Sequence, residues 1–151
     1  MKKNFLSILV FSLALLLVGC GSEKTKEDTF KKHNKDNNAL ECTAKDDKNV
    51  ATMYIYFNKD NKVTTLDYYL EVEADGATKA EVKKAEEMVC EGQGQFKKEW
   101  IEECSYELDE NIVKAHVYLN NADMLGGYEN KEDILNLGKE GLSGYTCIDK
   151  K

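Results

Sequence analysis

Two stretches alternate so regularly between apolar and polar residues that a β-hairpin is the one local fold satisfying both. From Val50 to Phe57, the residues Ala51, Met53, Ile55 and Phe57 point one way and Thr52, Tyr54 and Tyr56 the other. From Val63 to Glu73, Leu66, Tyr68, Leu70 and Val72 stand opposite Thr65, Asp67, Tyr69, Glu71 and Glu73. Between them Asn58-Lys59-Asp60-Asn61-Lys62 carries turn chemistry. A tip at Asp60-Asn61 predicts pairing of Phe57 with Thr64, Ile55 with Leu66, Met53 with Tyr68 and Ala51 with Leu70. That register keeps each apolar set on one face, which is the condition that specifies a register.

A second hairpin follows the same rule. Cys104 to Leu108 and Ile112 to Leu119 flank a tip at Glu110-Asn111, which pairs Leu108 with Val113, Tyr106 with Ala115 and Cys104 with Val117. On the reverse face Glu107 meets Lys114, a favourable cross-strand pair. A short strand through Cys42 and Thr43 opens the domain at about Ala39. Thr78 with Glu81 has capping-box spacing, and Val82, Ala85 and Val89 continue at helical spacing until Gly92 and Gly94. Phe96 to Ile101 can resume helix, and Asn130 can cap a short helix carrying Ile134, Leu135 and Leu137. The expected class is α+β, β-β-α-β-β-α, with helices on one face of an antiparallel sheet.

The first residues have a different purpose. Lys2-Lys3, an apolar run from Phe5 to Val18 and the ending Leu17-Val18-Gly19-Cys20 follow the pattern of a secretory signal. The run of 14 residues is short for a membrane span, which takes about 20. Its ending resembles the lipobox of bacterial lipoproteins, in which the cysteine is lipid-modified and becomes the first mature residue. Residues 1–19 are therefore read as a lipoprotein signal peptide and Cys20 as the lipidation site. Two acyl chains hold a protein stably where one does not. Residues 20–38 contain one apolar residue after Cys20 and before the domain, Phe30, and are expected to form a disordered tether of roughly 20–25 Å, His33 included. Residues 39–151 then form a single domain.

Losing 1–19 leaves 132 residues and takes two lysines but no acid, so the formal charge moves from −7 to −9. An acidic surface excludes nucleic acid as a partner and electrostatic docking on anionic lipid. The chain has neither Arg nor Pro; with many Lys and Asn this fits an AT-rich, Gram-positive source. The expected location is the outer face of the cytoplasmic membrane, with the membrane contacted through the lipid on Cys20.

Cys42, Cys90, Cys104 and Cys147 remain after Cys20, an even number that an exported domain uses for disulfides. Of the three connectivities, Cys42–Cys147 with Cys90–Cys104 ties the domain ends together and clips a helix to its neighbouring strand. Loop closure alone gives about 3 kcal/mol for the short loop and about 4–5 kcal/mol for the long one. There is no CxxC pair, so a redox site is disfavoured, and with His33 and His116 the only histidines no zinc set is expected.

The lipobox, the polar tether, the β-β-α-β-β-α order and the closing Glu140-Gly141-Leu142-Ser143-Gly144-Tyr145 resemble small bacterial lipoproteins of the YehR-like kind. That resemblance implies a lipid-anchored domain and carries over no catalytic residue.

The candidate ligand-binding residues lie on the non-core face: Tyr54, Tyr56 and Tyr69, joined by His116 and Tyr118 if the second hairpin enters the same sheet. Tyrosines on a sheet can grip a sugar or a side chain, though the commoner role is to stabilise the strands themselves. Asp46-Asp47 and Asn58, Asp60 and Asn61 lack the order of a calcium loop. Gly92-Gln93-Gly94 and Ser143 lack the context of a phosphate loop or nucleophile elbow. The expectation is a non-catalytic module without metal or cofactor, binding a protein, peptide or glycan at the cell surface. The alternatives are an inhibitor or immunity lipoprotein against an exported toxin or lytic enzyme, and a small hydrolase or redox accessory.

Overall fold

The computed structural model describes residues 23–94, 96–121, 123–125, 127–136 and 144–150. The signal peptide, Cys20, Leu137, Gly141 and Ser143 lie outside these residues. Each hairpin expected from alternation is present. Strands β1 (Ala39–Lys45), β2 (Asn49–Phe57), β3 (Val63–Glu73), β4 (Ile101–Asp109), β5 (Ile112–Leu119) and β6 (Thr146–Lys150) form one antiparallel sheet in the order β4-β5-β3-β2-β1-β6. The class is α+β, but the element order differs from β-β-α-β-β-α. A helix precedes the first strand, three strands come before the next helix, and a strand closes the chain.

In the first hairpin Ala51 faces Leu70, Met53 faces Tyr68 and Ile55 faces Leu66. Phe57 pairs with Val63 instead of Thr64, because a bulge falls between Tyr56 and Phe57. The bulge lengthens the turn: the Asn58 N–H bonds the Lys62 carbonyl at 2.9 Å, and Asn61 takes a left-handed φ of 59° that asparagine tolerates. In the second hairpin Leu108, Tyr106, Cys104 and Glu107 face Val113, Ala115, Val117 and Lys114 respectively. β5 pairs with β3, which brings both hairpins into one sheet.

One face of the sheet carries the main core, built from Leu40, Cys42, Met53, Ile55, Phe57, Leu66, Leu70, Val117 and Leu119. Helix α2 (Lys79–Cys90) lies on this face. Thr78 accepts the Glu81 N–H at 3.2 Å and Glu81 accepts the Thr78 N–H at 2.9 Å, closing the capping box. Its Val82 and Ala85 pack with Ala74, Val113, Tyr106 and Leu108. Gly92, at φ 76°, ends this segment; a Cβ there would sit 2.6 Å from the Lys98 nitrogen. Lys98–Trp100 forms a single 3-10 turn before β4. Helix α3 (Lys131–Asn136) buries Ile134 and exposes Leu135, and the Asn130 side chain caps it through the Asp133 N–H at 3.0 Å.

Disulfides join Cys42 to Cys147 and Cys90 to Cys104. The first links β1 to β6 at a directly opposed pair; the second links the end of α2 to β4. Two such bonds fit an oxidising, extracytoplasmic environment. Among the described residues no helix is long and apolar enough to cross a membrane.

The expected tether needs correction. Glu23–His33 is helix α1, and it lies against the second face of the sheet with Phe30 and His33 buried. Lys26, Phe30 and His33 recur at spacings that place them on one helix face. Phe30 meets Tyr54 at 4.9 Å and Tyr56 at 6.0 Å between ring centroids. A buried phenylalanine cut to alanine costs about 3 kcal/mol or more. Phe30→Ala is therefore expected to lower the free energy of chemical unfolding by that much, and with it the midpoint. An unchanged midpoint would return residues 23–33 to the status of a tether.

Candidate functional site

Asp67, in the middle of β3, is fully buried on the second face of the sheet. A carboxylate without solvent is costly unless its lone pairs are filled by donors. Three donors from three elements fill them. The His33 Nδ1 of α1 and the Tyr56 hydroxyl of β2 each lie 2.6 Å from Oδ2, and the His116 Nε2 of β5 lies 2.6 Å from Oδ1. The strand register explains the convergence: Asp67 pairs with Tyr54 on one side and Tyr118 on the other, so Tyr56 and His116 reach it along the same face.

The rings are held as firmly as the bonds. His33 stacks on Tyr118 at 3.7 Å and 11°, and His116 stacks on Tyr69 at 4.5 Å and 13°. Flanking ion pairs fasten α1 further. Lys26 reaches Glu71 at 2.8 Å and Lys32 bonds Glu103. The Lys32 ammonium holds the Glu103 carboxyl below its ordinary range. Burial, and then the Asp67 charge, push the Tyr56 hydroxyl well above the ordinary 10.0. Burial does the same first of all for Tyr54 and Tyr69.

These contacts decide the fate of the expected tyrosine surface. Tyr54, Tyr56, Tyr69 and Tyr118 are each at least 94% buried, packed with Phe30 and Ala39 under α1. They form the second core, because α1 supplies the apolar and basic groups that such a face requires. His116 alone among the five keeps substantial exposure, with 17% of its side chain accessible. His33, expected in a tether, is part of the Asp67 network.

Beside α1 the covering stops, and a half-open cleft of about 120 Å³ remains. Its lining comes from Lys26 of α1, Tyr69 and Glu71 of β3, Ser105 and Glu107 of β4, and Lys114 and His116 of β5. Glu71, Lys26, Ser105 and Asp67 are the residues that sequence reasoning missed as site components. The signal lay in the alternation itself, which puts Asp67, Tyr69 and Glu71 on one face, and in the helical spacing of Lys26, Phe30 and His33. Among the described residues no group of three or more His, Cys, Asp or Glu side chains is arranged to hold a metal.

The chain matches no protein-family model, no curated protein and no solved structure. The geometry alone carries the functional reading.

Removing one partner from a buried, charge-assisted cluster costs about 3–5 kcal/mol. Asp67→Ala is expected to destabilise by that amount in denaturant unfolding, well beyond a change at exposed Asp60. The raised tyrosines set a second expectation. Below 10.0 folded and unfolded chains hold the same phenolic protons; above it the unfolded chain loses them first. Stability is therefore complete below that pH and falls as pH rises beyond it. In an alkaline titration, tyrosinate absorbance from these residues should appear together with unfolding, not before it.

Proposed function

We propose that the chain is a lipid-anchored extracytoplasmic binding module, held to the membrane through Cys20, which takes a protein, peptide or glycan group into the cleft beside α1. The observation that carries this reading is the cleft lining. Two carboxylates, two ammonium groups, an imidazole and a hydroxyl converge there, on a base held rigid by the Asp67 network. Sites of this kind place a few polar groups on a preformed surface.

The start of α1 at Glu23 also revises the setting of the domain. Only Gly21 and Ser22 separate it from Cys20 in the sequence, so the reach from Cys20 to the helix is at most about 10 Å. A domain lipidated at Cys20 then works close to the membrane, and the Lys26 end of α1 brings the cleft with it. Two experiments test the reading. An alkyne fatty acid fed to cells should label the wild-type protein and leave Cys20→Ala unlabelled. A photo-crosslinker at Ser105 should trap a cell-surface component on intact cells, whereas one at exposed Lys83 on α2 should not. Equal trapping at both positions would remove the cleft from the proposal.

A second reading, that of a small hydrolase, has one observation in its favour. Ser105 lies directly opposite His116 across β4 and β5, and Asp67 holds Nε2 of that imidazole. This gives the nucleophile, base and orienting acid of acyl transfer in adjacent places. Binding is preferred because Ser105 stands exposed on the edge strand β4, where nothing excludes water from a would-be nucleophile. A fluorophosphonate probe decides between the two. Labelling of Ser105 that disappears in His116→Ala would establish the hydrolase, and absence of labelling is the outcome expected here.

A further inference from the structure

The cleft lining includes a carboxylate whose bonding is incomplete. Glu71 is 97% buried, its Oε1 is taken by Lys26, and its Oε2 has no hydrogen-bond partner. An ionised carboxylate offers about four lone-pair sites, and buried polar atoms are seldom left unpaired. Lys114 stands directly across the strands from Glu71, yet its ammonium is bonded to Asp109. Glu71 lines the cleft, with its unfilled oxygen buried just beneath the cleft wall.

We infer that the cleft is a receptor for a primary ammonium group, with the Glu71 carboxylate as the acceptor in competition with Lys26 and the Tyr69 ring as an adjoining wall. Lys26 already displays the chemistry within the molecule. Its ammonium sits on the same carboxylate and 5.9 Å from the centroid of the Tyr69 ring. The charge balance favours a cation. Of the charged groups lining the cleft, Lys26 and Lys114 are engaged by Glu71 and Asp109, while Glu107 adds a further negative charge. A volume of about 120 Å³ suits an amine-bearing side chain or an amino-sugar head, not a large ligand. The inference rests on the cleft being the ligand site, and it names the ligand's chemistry.

The test uses the full chain in neutral detergent, titrated by heteronuclear NMR with Nα-acetyl-lysine amide. The control probe is the same molecule with its side-chain amine acetylated. The amine should shift the amides of Tyr69, Glu71, Lys114 and His116 in a saturable way, and the acetylated probe should not. Glu71→Gln keeps the shape and should weaken binding at least about ten-fold, the worth of one charge-assisted bond. Lys26→Met removes the internal competitor and should strengthen binding several-fold. Equal responses to both probes would overturn the inference, as would binding that survives Glu71→Gln. If Glu71→Gln does not fold, unchanged or weaker binding by Lys26→Met overturns it instead. Site-specific trapping at Ser105 with no response to the amine would defeat the ammonium inference alone and leave the binding module standing.

Discussion

The buried carboxylate of Asp67 is the constraint from which the second face of this protein follows. An acid at the centre of a sheet cannot be left dry and unpaired, so whatever covers it must bring donors. His33 from α1 and His116 and Tyr56 from the sheet meet that demand together, each 2.6 Å from the carboxylate. Because one of the three comes from α1, the helix is a structural part of the domain. Its apolar contribution, Phe30, would be a modest anchor alone; the polar bonds on either side fix where along the sheet it sits. Stacking of His33 on Tyr118 and of His116 on Tyr69 restricts both imidazoles, so the bonding geometry is set before any ligand arrives.

How much of this was legible in the sequence depends on which force makes each element. The hairpins were readable almost to the residue because alternation is a direct print of one-sided burial, and a slip would invert every side chain of a strand. The bulge at Phe57 escaped because the five polar residues from Asn58 to Lys62 admit more than one turn, and local loop geometry decides between them. Helix α1 escaped for a deeper reason. Its sheet-facing side carries Lys26, Phe30 and His33, which looks solvated unless the complementary acids Asp67 and Glu71 are known to lie opposite. Composition signals disorder when a segment cannot bury apolar surface; it is silent about segments that fold by pairing charge against a prepared surface. Strand β6 escaped similarly, since Thr146–Lys150 is polar and half-exposed and is held at Cys147 by its bond to Cys42.

The candidate site was half legible. The tyrosines and His116 were correctly grouped on one face, because strand faces follow from alternation and the hairpins join one sheet. What sits over that face could not be read from the strands. Covering it turned the aromatic row from a recognition surface into core, and shifted the reactive groups to the rim, where Lys26, Glu71, Ser105 and His116 share an opening.

The opening itself follows from dimensions. Six strands spaced about 4.8 Å apart make a sheet roughly 24 Å across, whereas one helix with its side chains covers about 10 Å. Helix α1 spends that width on the tyrosine cluster of β2, β3 and β5, leaving the exposed flank of β4 without a second layer. A one-helix layer on a six-stranded face must leave an edge somewhere. Here the edge falls where β3 presents Glu71 and β5 presents His116, so the helix that buries most of the acidic face also delimits the part left open. The same side chain, Lys26, does both: it secures the first turns of α1 to Glu71 and forms one wall of the cleft. Any motion that loosened α1 at that end would enlarge the cleft and expose Glu71, while the bonds to Asp67 further along the helix would keep it attached.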